Sequence, residues 1–286
     1  MSNLRTILFC FVAVFTAATS CTLMATPRTV HFESLDHKTK LVGYVWEPSS
    51  PGPHPAIVLL HGRAGPYSSL AKGVYSAETL SKRHKAYGEF WSERGYLVLL
   101  VDSFGPRGYP EGFGKGSYDE RPPEVSEQTV RPLDAYGALL YLRKQPGVIK
   151  DHIGVQGWSN GGMTVLVTMS DQSPGLPLPG GEPGFRAAIA EYPGCGMDAI
   201  KGAYRAYAPI LLMIAGGDEE VSPERCERFA QRAKSDGNNI KVIVYPGAAH
   251  NFDDPSKSKQ EIPANHAATE DAMRQAEAFF ATHLLK

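Results

Sequence analysis

What this sequence most plainly lacks is an excess of charge. Lysine and arginine number 29 against 30 aspartates and glutamates, a formal net charge of -1. No basic face for nucleic acid is on offer, and a small, neutral or mixed-charge partner fits better. Internal repeats, long charge runs and domain-separating linkers are also missing. At 286 residues the chain sits near the upper end for one domain, and one large domain is the expectation. Long apolar runs are absent too. The run "TILFCFVAVFTAA" after Arg5 falls short of the roughly 20 residues a membrane span requires. A basic residue, an apolar run and then small residues at Ala17, Ala18 and Ser20 is the order of a cleaved export signal. We expect that signal over residues 1–25, leaving 26–286 as an exported, periplasmic or secreted domain with no transmembrane span. Cys21, closing "ATSC", is a candidate lipid anchor just after the cut, although Ala18 stands where a bulky aliphatic residue is usual. Cysteine is scarce. Of four, Cys10 and Cys21 fall within or at the end of the signal, which leaves Cys195 and Cys226 and no further ligands spaced for a metal. In an oxidising compartment two remaining thiols more often pair than stay free, provided the fold brings them together.

What is present is alternation. Strand-like apolar segments occur at "TVHFESL", "LVGYVWEP", "PAIVLLHG", "GYLVLLVD", "HIGVQG", "FRAAIAEYP", "APILLMIAG" and "IKVIVYPG". Helix-like segments lie between most of them: "RHKAYGEFWSERG", "VSEQTVRPLDAYGALLYLRKQPG", the run after Ser159, "SPERCERFAQRAKSDG" and "NHAATEDAMRQAEAFFATHLLK". In the second of these, Leu133, Tyr136 and Leu140 recur at helical spacing and Gly147 follows as a stop. Such alternation predicts an α/β fold, a mostly parallel sheet between layers of helix. The first two strands, separated only by "DHKTK", read as an antiparallel hairpin leading into it. Two Gly/Pro-rich segments break the pattern. "SFGPRGYPEGFGKGSYDERPPE" follows the fourth strand and is a candidate pocket wall; "DQSPGLPLPGGEPG" reads as a surface spacer.

One short stretch concentrates the chemistry. In "HIGVQGWSNGGM" a strand runs directly into a helix at Ser159, with Gly157 and Gly161 two positions to either side. A serine hydroxyl becomes a useful nucleophile only when a base takes its proton and donors stabilise the resulting oxyanion. A sharp strand-to-helix turn lifts the side chain above the sheet, tolerates only small neighbours, and aims helix N–H groups at developing charge. Partners follow in the order acid, then histidine. Asp218 comes directly off "PILLMIAGG", ahead of Glu219 and Glu220, which are expected to face water. His250 closes "IKVIVYPGAAH". The other histidines lack such a position, and His61 is read as a brace for its loop. The backbone N–H groups of Asn160 and of Arg63, in "VLLHGRAG", are the expected oxyanion donors.

At these residues the sequence resembles the α/β-hydrolase superfamily and, more narrowly, the dienelactone hydrolase family. The resemblance spans most of the mature chain and rests on "LLHGRAG", "ERGYLVLLVDSFGPRG", "RPLDAYGALLYLRKQPGV", "IGVQGWSNGGM", "EYPGCG", "AGGDEEV" and "YPGAAHNFDD". It implies an α/β-hydrolase fold, Ser159 as nucleophile, Asp218 as acid, His250 as base, and Arg63 and Asn160 as oxyanion donors. A carboxylic-ester or lactone hydrolase acting on a small molecule through an acyl-enzyme follows, with no cofactor. Two departures separate it from the founding lactone-opening activity. That activity is associated with a cysteine nucleophile, where this chain has Ser159. It is also associated with an arginine four residues beyond the histidine, where Asp254 is expected to repel a carboxylate. Arg107, in the "SFGPRG" loop, is a candidate contact for an anionic acyl group, or else a partner of Asp102 or a loop cap. The resemblance further places Cys195 and Cys226 near neighbouring strand ends, within reach of a disulfide that would tether the acid's loop. Competing readings are a prolyl-oligopeptidase-like peptidase, whose serine turn "GWSNGG" also resembles, a polyester or cutin hydrolase, and a binding module that kept the fold without the chemistry.

Overall fold

The computed structural model describes residues 26–286. The expected export signal and Cys21 lie outside the described residues. Among the described residues, eight strands form a single sheet: β1 (Arg28–Glu33), β2 (Lys40–Trp46), β3 (His54–Leu60), β4 (Leu97–Asp102), β5 (Val148–Trp158), β6 (Ala187–Glu191), β7 (Ile210–Ala215) and β8 (Ile240–Tyr245). Their spatial order is β1-β2-β4-β3-β5-β6-β7-β8. β1 pairs antiparallel with β2, and β2 antiparallel with β4; every other pair is parallel. The strands coincide with the eight apolar segments, including the N-terminal hairpin.

The helices are α1 (Lys82–Ser92), α2 (Arg131–Arg143), α3 (Asn160–Thr168), α4 (Pro223–Ser235), the short α5 (Lys257–Gln260) and α6 (Pro263–Leu284). Central strands buried on both faces read as unbroken apolar runs, and β3 shows why. Its Ala56, Val58 and Leu60 belong to the core layer that also holds buried residues of α2, α3 and α4, while Ile57 and Leu59 belong to the layer that holds those of α1 and α6. No helix among the described residues is long and apolar enough to cross a membrane.

Two local expectations are corrected. The second helical segment does not run from Val125. Pro132 lacks an N–H and its ring would clash with the carbonyl four residues back, so it is tolerated only in a first turn, and α2 starts at Arg131. The buried stripe of α2 is also rotated from the one expected. Ala135, Tyr136, Leu139 and Leu142 are fully buried, whereas Leu133 and Leu140 are half-buried.

Candidate active site

The carboxyl ends of β5, β7 and β8 converge on one rim of the sheet. At the end of β5 the chain turns through Ser159, whose φ of +53° and ψ of -114° lie outside the regions a side chain ordinarily allows. Close packing leaves no alternative route. A Cβ on Gly161 would run into the Leu60 carbonyl oxygen, and one on Gly157 into the Gly161 carbonyl oxygen. The turn is pinned by the Ser159 N–H, which donates to the Glu191 carbonyl oxygen at 2.9 Å. Ser159 Oγ then faces His250 Nε2 at 2.9 Å, and His250 Nδ1 faces Asp218 Oδ2 at 2.7 Å. Three residues from three strand ends thus stand in one hydrogen-bonded line, 91 and 32 positions apart in sequence.

Each member is held from behind. Asp218 Oδ1 accepts the backbone N–H groups of Glu220 and Val221 at 2.8 and 3.0 Å, which turns Oδ2 toward the imidazole. The His250 N–H donates to Glu219 Oε2 at 3.0 Å, and Lys259 Nζ donates to the His250 carbonyl oxygen at 2.7 Å. Tyr192 meets the imidazole edge-on at 5.0 Å between ring centres. Its hydroxyl donates to the buried Asp253, which is 3.4 Å from Arg83 of α1. Burial raises the Tyr192 phenol well above its ordinary value, so it stays a donor.

The residues of the expected oxyanion donors line the same cleft as Ser159. Neither the Arg63 nor the Asn160 backbone N–H has a hydrogen-bond acceptor among the described residues. Arg63, Ser159 and Asn160 line a cleft of about 470 Å³ together with Tyr118, Arg121 and Met163. Tyr118 and Arg121 belong to the Gly/Pro-rich segment after β4, so the candidate pocket wall does border the cleft. The spacer segment borders a separate cavity. His61 braces its loop: Nδ1 donates to the Gly62 carbonyl oxygen at 2.7 Å and Nε2 accepts the Ser103 N–H at 3.2 Å. Full burial, with Arg131 nearby, holds its pKa well below the usual value, so it is a neutral imidazole.

Other candidates are placed differently. Arg107 is no substrate contact. Its guanidinium donates to both carboxylate oxygens of Asp134, to Asp36 and to the Ser103 carbonyl oxygen, all at 2.8 Å, so it caps its own loop, the third of its expected roles, and the side chain is only 6 % exposed. Asp102 is not its partner either, being engaged by Tyr67 and by the N–H groups of Phe104 and Gly105. A buried carboxylate at position 134 outcompetes solvent and ligand alike for that fork. The cations at the cleft are instead Arg63, Lys115, Arg121 and Arg225; of these Arg121 donates to Asn160 Oδ1 at 2.7 Å and lies over the Tyr118 ring. Asp254 pairs with Arg83 and caps the Ser256 N–H, and it does not line the cleft. The acids at the cleft are Asp198, Glu219 and Glu220. Of these Glu220 does not face water: Arg63 holds it through two hydrogen bonds of 3.0 Å. A disulfide joins Cys195 and Cys226, with their Cα atoms 5.1 Å apart. It ties the segment after β6, at the cleft, to α4 beyond the Asp218 loop.

A mostly parallel sheet, a serine on a strained strand-to-helix turn, and an acid and a histidine on later strand ends together define an α/β hydrolase. A profile of the dienelactone hydrolase family matches residues 41–284. The chain belongs to that family. Solved structures of similar fold include a dienelactone hydrolase-like promiscuous phosphotriesterase from metagenomic libraries, at 19% identity and a TM-score of 0.65, covering 90% of this chain and 98% of that one. Esterase 2 of Thermogutta terrifontis, in a form phosphorylated by paraoxon, is 18% identical with a TM-score of 0.62, covering 91% and 95%. An esterase of Pyrococcus furiosus is 18% identical with a TM-score of 0.59, covering 90% and 93%.

Proposed function

We propose that this protein is a serine hydrolase that cleaves carboxylic ester or lactone bonds of small molecules through an acyl-enzyme. The observation that carries the reading is the imidazole of His250 suspended between Ser159 Oγ at 2.9 Å and Asp218 Oδ2 at 2.7 Å. In this scheme Nε2 takes the hydroxyl proton as Oγ attacks the carbonyl carbon, and Asp218 fixes the tautomer and stabilises the imidazolium. The N–H groups of Arg63 and Asn160 receive the oxyanion, each worth about 3 kcal/mol to the transition state. Nε2 protonates the leaving alcohol, and water then releases the acid by the same steps in reverse. The family and its esterase-like neighbours support the ester chemistry. The same proposal puts the enzyme in an oxidising compartment after export, for which the disulfide and the order of residues in the N-terminal segment are the support.

The test is a hydrolysis screen of aryl esters of graded chain length, lactones and peptide amides, with Ser159→Ala as control. Esters or lactones are expected to turn over, with the alanine variant slower by about 10⁴-fold or more. A preference for peptide amides, or wild-type turnover by the variant, contradicts the proposal.

A further inference from the structure

Glu220 stands at the reacting centre without a part in the scheme above. Its Oε2 lies 3.8 Å from His250 Nε2, the nitrogen that faces Ser159 Oγ. The carboxylate is fixed there. Arg63 Nε donates to Oε2 and Nη2 to Oε1, each at 3.0 Å, and Lys115 Nζ stands 3.9 Å from Oε1. Burial opposes its ionisation, but the Arg63 hydrogen bonds and the charges of Arg63 and Lys115 count against that, and the carboxyl ionises more readily than a free glutamate. Service as the counter-ion of Arg63 explains the grip on this group. It does not explain why one oxygen is also presented to Nε2.

We propose that Glu220 Oε2 and His250 Nε2 together seat the water that hydrolyses the acyl-enzyme, making Glu220 a positioning residue for deacylation; this rests on Ser159 being the nucleophile. Once Oγ is acylated it has no proton to offer, and Nε2 is free to accept from another donor. Two acceptors 3.8 Å apart suit a single water, since legs of about 2.8 Å subtend about 85° at its oxygen. That water gives one hydrogen to each acceptor and keeps a lone pair for the acyl carbon. In the step itself the water oxygen bonds to that carbon, one proton passes to Nε2, and the other stays hydrogen-bonded to Glu220. Collapse breaks the bond from carbon to Oγ, Nε2 returns its proton to Oγ, and the carboxylic acid leaves carrying the oxygen and remaining hydrogen of the water. Acylation does not use the seat, because the Ser159 hydroxyl then occupies the acceptor site on Nε2.

A p-nitrophenyl ester separates the two steps, the burst of nitrophenol reporting acylation and the steady state deacylation. Glu220→Gln is expected to slow deacylation by about 10- to 100-fold, the range of one hydrogen bond to a charged group, while the burst rate changes by less than about threefold. Acyl-enzyme then accumulates as a mass shift on the intact protein. Glu220→Asp keeps a charge for Arg63 but withdraws it by one methylene; it is expected to show the same split and carries the test should the glutamine variant not fold. Both steps slowed alike, or wild-type deacylation in either folded variant, overturns the proposal. Fluorophosphonate labelling, which needs no water, keeps this failure apart from a wrong nucleophile. Wild type that does not label at Ser159 sinks the reading of the site, whereas equal labelling of wild type and variants without the split sinks only the role of Glu220.

Discussion

Ser159 sits in a backbone conformation that costs about 1–3 kcal/mol, and what surrounds it must outweigh that. Part of the surroundings is itself under electrostatic strain. Glu191, whose carbonyl oxygen holds the serine N–H, buries its carboxyl completely. Oε1 accepts from Gln156 Nε2, and Oε2 has no hydrogen-bond partner among the described residues. Desolvation, reinforced by the charge of Asp253 and opposed by Gln156, Arg83 and Tyr87, pushes its pKa up from 4.5 to about 8. The folded state therefore holds this proton more tightly than the unfolded chain. Its stabilising contribution is complete below the unfolded value of 4.5, is lost as pH rises through the window up to about 8, and changes no further above that. Glu191→Gln removes the titration. Melting temperatures at pH 5 and pH 9 should fall less across the interval in the variant than in wild type, and equal falls contradict the assignment.

Among the elements, the loops rather than the strands carry the functional tolerances. The loop that presents the Arg63 N–H is laid directly against the segment after β4. Phe113 N–H donates to the Arg63 carbonyl oxygen at 2.8 Å, and Arg63 Nη1 donates to the Phe113 carbonyl oxygen at 3.1 Å. Backbones approach this closely only because residue 112 is glycine. Its φ is +68°, and a Cβ there would collide with the Ala64 carbonyl group. Gly112→Ala is expected to shift the donor loop and lower kcat by about 10- to 100-fold, somewhat less than removing one oxyanion donor outright. Steady-state kinetics on the best aryl ester check this, and an unchanged kcat would show that the loop does not depend on the contact. The strands and long helices were legible because burial on both faces writes continuous apolar runs and helical spacing into the sequence. The start of α2 was misjudged by treating Pro132 as interior to a helix instead of as a first-turn residue.

At the scale of the whole molecule, the line from Ser159 to His250 to Asp218 was readable because each residue follows a recognisable strand in the required order. The reading of Arg107 as a contact for an anionic acyl group, and those of Asp254 and Glu220, failed for a common reason. The partners of these residues, Asp134, Arg83 and Arg63, lie 27, 171 and 157 positions away, and no local pattern announces which distant charge will capture a side chain. Arg121 and Tyr118 were hidden in the Gly/Pro-rich segment, whose course is set by contacts with the rest of the fold. Tyr192 and Arg83, which back the imidazole, look in sequence like a strand-end aromatic and a helix-surface cation. The disulfide was anticipated from compartment and strand-end position, not from spacing alone.

The central claim is that Ser159 is made nucleophilic by the imidazole it faces, and covalent capture tests it most directly. A fluorophosphonate incubated with the protein, followed by intact-mass measurement and peptide mapping, should give one adduct per chain on the peptide carrying Ser159. Ser159→Ala should give none, and His250→Ala a rate lower by about 10³-fold or more. Labelling elsewhere, or a folded wild-type protein that does not label, contradicts the account.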